Sequence, residues 1–173
     1  MTALTMEQRR ADFEAMLRRA DVARRAVSKS WTTEGGTPGK PLASLARDVA
    51  ELCASWAAAA KRAKEGHPPS DQAKNLAALV AARCLQVISE RDPEGYLEPL
   101  REMGHQLNDR DLGMDPAERI GWLLSTLGDL GTCYHRNLDP NGSITVFRLR
   151  SLTVESLCAA LAAERGLWQE EEP

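Results

Sequence analysis

Apolar residues recur three and four positions apart through most of the chain, the spacing of helices with one buried face. Phe13, Met16, Leu17, Ala20, Ala23, Val27 and Trp31 share one face of a first helix that runs to about Ser30. Thr5-Met6-Glu7-Gln8 opens that helix as a capping box, with Gln8 three residues after the Thr5 cap. Leu42, Leu45, Ala46, Val49, Leu52, Cys53, Trp56, Ala60 and Ala63 trace a second stripe over 42–65, closed by Gly66 and Pro68-Pro69. A third helix over 70–90 has a wide apolar arc of Leu76, Ala77, Leu79, Val80, Cys84, Leu85, Val87 and Ile88, which places it centrally. Asp92-Pro93-Glu94 restarts the chain, and Pro99 splits off a fourth helix over 99–107 with Leu100, Met103 and Leu107 inward.

Asp115-Pro116-Ala117-Glu118 is a strong start for a fifth helix reaching about Arg136, with Ile120, Leu123, Leu124, Leu127, Leu130 and Tyr134 as its apolar stripe. A last helix opens at Thr153, with Leu152 and Leu157 as a hydrophobic staple and Gly166 as its stop. Between these two, Ile144-Thr145-Val146-Phe147-Arg148-Leu149 is β-like in composition. A lone strand has no partner, so this run reads as extended loop or as an edge that pairs with its own copy. The expected fold is therefore all-α: one domain over 1–173 built from five to six helices, with at most one short strand-like segment near 144–149. Residues 32–41 read as a flexible loop, and 1–4 and 169–173 as frayed ends.

Composition agrees. Alanine and leucine carry most of the apolar content, aromatics are 5% and charged residues 27% of 173, a helical and globular palette. The net charge of −3 draws the chain to neither nucleic acid nor an anionic membrane as a whole. The first residues have no basic and apolar leader pattern, and no apolar run approaches the ~20 residues of a membrane span. Cys53, Cys84, Cys133 and Cys158 lie far apart without metal or disulfide spacing; Cys53, Cys84 and Cys158 fall on apolar stripes and read as buried thiols, which points to a reducing cytoplasm.

Chemistry is sparse. Gly35, Gly39 and Lys40 hint at a phosphate loop, but the glycine spacing is one residue short, Pro41 stands where a Ser/Thr should, and no strand precedes it. Glu102-Met103-Gly104-His105 is one copy of a motif that di-iron bundles need twice. Glu102, His105 and His135 are the best metal ligands the chain offers, and they are too few to argue a metal-dependent helical-bundle enzyme. No nucleophile elbow or Cys/His signature appears, so neither a catalytic residue nor a cofactor is expected.

Surfaces say more. Ala117, Gly121, Ser125, Gly128 and Thr132 form a stripe of small residues on the fifth helix. Interior glycine costs a helix ~1 kcal/mol relative to alanine, so close approach of another helix is the simplest reason for it, within the bundle or from a second copy. Trp122 points away from both the apolar and the small-residue stripe, alongside Asp129 and Cys133. These features favour a non-enzymatic module that binds protein, its own copy included. The alternative is an accessory subunit of a nucleic-acid-handling complex, with Arg9, Arg10, Arg18, Arg19, Arg24 and Arg25 as one wall of a groove. Against it, Glu7, Glu14 and Asp21 stand at ion-pair spacing from Arg10, Arg18 and Arg25.

Overall fold

The computed structural model describes residues 5–26, 39–67, 71–135 and 143–165. Seven helices lie among them: α1 (Met6–Ala26), α2 (Gly39–Lys64), α3 (Asp71–Arg91), α4 (Glu98–His105), α5 (Asp109–Leu112), α6 (Pro116–His135) and α7 (Ser143–Arg165). The all-α architecture is as expected, with one helix more than the spacing gave. The addition is α5, a single turn closed by reciprocal caps: Asn108 N donates to Asp111 Oδ2 (2.8 Å) and Asp111 N to Asn108 Oδ1 (3.1 Å).

The helix ends follow from local chemistry. Thr5 N donates to Gln8 Oε1 and Gln8 N to Thr5 Oγ1, the two halves of the capping box. Asp115 Oδ1 accepts from the backbone of Ala117 and Glu118, and α6 begins between them and the cap at Pro116. Gly66 ends α2 at φ 78°, and His67 N reaches back to the Arg62 carbonyl, as a left-handed stop requires. Residues 39–41, expected in the loop, are the first turn of α2, where Pro41 lacks only an amide hydrogen that has no helical partner.

α3 and α7 form the centre. α1 packs on both, α2 lies against α3 and α6, and α6 closes over α7. One hydrophobic core draws residues from all seven helices, among them Phe13, Leu45, Leu85, Leu100, Leu112, Leu123 and Leu157. Beside it Trp56 packs with Ala73, Ala159 and Ala162, whose small side chains leave room for the indole. Phe13 lies so close to α4 that a Cβ on Gly104 would sit 2.2 Å from its ring.

The segment 144–149 is helical, which corrects the strand-like reading. α7 starts at Ser143, ten residues before Thr153, so Thr153 is an interior residue rather than a cap and the Leu152–Leu157 staple does not apply. β-branched residues lower helix propensity only slightly, and packing overrides it. Thr145, Val146, Leu149, Leu152, Thr153 and Ser156 make one continuous buried arc at helical spacing. The buried hydroxyls of Thr153 and Ser156 donate to the carbonyls of Leu149 (2.8 Å) and Leu152 (2.7 Å), which satisfies them inside the helix. From Ser156 to Ala162 every side chain is buried, the mark of a helix enclosed on all sides.

Val27, Trp31 and the residues at 1–4, 32–38 and 166–173 lie outside the described residues, as do the side chains of Leu42, Ala60, Ala63 and Tyr134.

Candidate interaction surface

α6 presents two unlike faces. Its inward line is Arg119, Leu123, Thr126, Leu130 and Cys133, all buried, and Ile120 and Leu127 pack on its edge. Leu124, expected on the apolar stripe, is 47% exposed, and Cys133, expected beside Trp122, is buried. The helix is rotated from the apolar reading because two polar residues, Arg119 and Thr126, take core positions.

Arg119 is 0% exposed. Its guanidinium donates to Glu155 Oε2 of α7 (3.1 Å) and to the Asp111 carbonyl of α5, tying three helices together. Its Nε has no hydrogen-bond partner. Burial pushes the Glu155 carboxyl above its usual range, against the opposing pull of Arg119 and with a further push from Asp111. Cys158 lies in the same cluster, and burial drives its thiol up to about 12, so it is inert as a nucleophile. Cys84 is likewise pushed to about 12, and all four cysteines are buried and free.

The outward line is Ala117, Gly121, Ser125, Gly128 and Thr132, every one exposed. A Cβ built on Gly121, Gly128 or Gly131 would meet no atom within 4 Å. Among the described residues, no helix of the bundle approaches these glycines. Leu124 stands within the stripe, and Trp122, 53% exposed, flanks it. Past Trp122 the surface continues to Asp129, which pairs with Arg148 of α7 (3.1 Å).

The six arginines of α1 do not form one wall. At 3.6 residues per turn, Arg9 and Arg24 fall on the side of buried Phe13 and Ala20, Arg18 and Arg25 share one outer face, and Arg19 lies on the other flank. Arg10 is exposed. Arg24 donates to Asp21 Oδ1 (2.8 Å) and Ser89 Oγ (3.4 Å) and lies over the Tyr96 ring at 5.2 Å. Asp21 also accepts from the Tyr96 hydroxyl at 2.5 Å. Burial alone would raise the Asp21 carboxyl, but the hydrogen bonds from Tyr96 and Arg24 outweigh it and hold it below its ordinary value. Arg25 approaches Asp21 only to 3.9 Å. Arg18 Nε donates to the Glu14 carbonyl, and Arg19 Nη1 is 3.7 Å from Met16 Sδ. The Glu14 carboxylate pairs with Arg101 of α4 (3.0 Å) instead of Arg18.

Glu102 and His105 are exposed on α4, and the side chain of His135 is outside the described residues. Among the described residues no group of three or more His, Cys, Asp or Glu could hold a metal ion. No described helix is long and apolar enough to cross a membrane.

The polar contacts that hold the bundle were missed by periodicity: Asp48 with Arg83 across α2 and α3, Asp21 with Tyr96, and Arg119 with Glu155. Two of them leave the same faint trace, a charged residue at an apolar-stripe position. Asp48 sits beside Val49 and three after Leu45, and Arg119 four before Leu123. Comparison with protein-family models, with curated proteins and with solved structures finds no match to this chain.

Proposed function

We propose that this protein is a non-enzymatic helical module that assembles through the outward face of α6, with a second copy of the chain as the partner. The observation that supports this reading is an exposed helix interior carrying Gly121 and Gly128 in open space, with Leu124 between them and Trp122 alongside. Each glycine costs the isolated helix ~1 kcal/mol, and no packing among the described residues offsets it. A helix laid on this face offsets it, because glycine lets two backbones approach closely.

The spacing also selects a direction. Positions 117, 121, 124, 125, 128 and 132 form a pattern that reads the same reversed. In an antiparallel pair centred between 124 and 125, Gly121 of one copy meets Gly128 of the other, and Leu124 meets Ser125. A two-fold interface must be self-complementary, and this register sets small residues on small and the leucine against serine.

Light scattering and cross-linking test it together. The four native cysteines are buried, so an introduced surface cysteine is the reactive thiol. Ser125→Cys should give a disulfide dimer. Ala117→Cys alone should not, since two copies of residue 117 stand about 22 Å apart in that register at 1.5 Å per residue. Ala117→Cys mixed with Thr132→Cys should. A monomer at every concentration with no cross-link removes the second copy as partner. Cross-linking of Ala117→Cys with itself refutes the antiparallel register. A dimer that survives Gly128→Leu unchanged places the interface elsewhere.

A further inference from the structure

We draw no further inference here: the strongest candidate, the exposed apolar patch of Ile144 and Phe147 on the first two turns of α7, is an unpartnered helix face, and nothing in the structure shows what covers it.

Discussion

The two faces of α6 invert the usual rule of placement. The inward face holds an arginine with no exposed surface, and the outward face holds a tryptophan and a leucine about half exposed. Charged residues are almost never fully buried unless paired, and a large exposed apolar side chain is informative when it sits beside others. Burial on the inner face is explained within the chain: Arg119 holds Glu155 of α7 and the Asp111 carbonyl of α5. Exposure on the outer face has no such account among the described residues. One side of the helix is finished and the other is not, and that asymmetry is the basis for locating an interface there.

The largest expected effect lies on the inner face. Arg119→Ala removes one partner of a buried ion pair and leaves Glu155 and the Asp111 carbonyl unanswered, which costs about 3 kcal/mol or more. Urea unfolding should show a lower midpoint with an unchanged slope. Replacing both partners by apolar residues, Arg119→Met with Glu155→Leu, should recover much of that loss, since an apolar substitute for a buried pair is often neutral. If Arg119→Ala unfolds like the parent, the inner face is not held by this pair and the contrast collapses.

Next in size is the outer face, with the opposite sign. Gly121→Ala and Gly128→Ala add helix propensity in open space and should raise the stability of the isolated chain by about 0.8–1 kcal/mol each. Both should weaken self-association, because each methyl lies where the backbones approach. Thermal unfolding at low concentration reads the first effect and sedimentation the second. Gains in stability with association untouched would leave the glycines without a function.

A pH series separates two half-buried carboxylates. Glu155 is raised above its ordinary 4.5, so the folded chain holds that proton more tightly than the unfolded chain. Its contribution is fully present below 4.5 and is lost as pH rises through the folded value. Asp21 is lowered from 3.8, so its contribution is present above 3.8 and lost as pH falls through the folded value. Stability of Glu155→Gln relative to the parent should therefore improve from pH 4 to 7. Asp21→Asn should show its deficit shrink as pH drops below 3.8. Matching slopes for both variants would contradict these opposite shifts.

Much of the fold was legible because helix ends are local. Thr5 with Gln8, Asp115 with Pro116, and Gly66 each act within four residues, and each stands where its chemistry puts it. The centrality of α3 was also visible in its wide apolar arc. What was not legible depends on neighbours distant in sequence. Ile144 to Leu149 have β-like side chains, and only the packing of α7 in the bundle makes them helical. Leu124 fits an apolar stripe by spacing, yet Arg119 claims the core because Glu155, 36 residues away, is there to meet it. The candidate surface was read in part: its residues stood out in the sequence, whereas their openness to solvent needed coordinates.

The smallest effect on folding is the most telling about function. Trp122 is 53% exposed, so Trp122→Ala should change unfolding free energy by no more than about 0.5 kcal/mol, as surface substitutions usually do. Tryptophan at the centre of an interface commonly contributes 2 kcal/mol or more to binding, roughly a thirtyfold change in Kd. Trp122 flanks the stripe rather than lying on it, so the loss of self-association should be smaller than for Gly128→Leu yet larger than its own cost in stability. Sedimentation equilibrium on the two variants orders these effects. If Trp122→Ala lowers stability by several kcal/mol and leaves association intact, its indole belongs to the fold, and the outer face loses its main anchor.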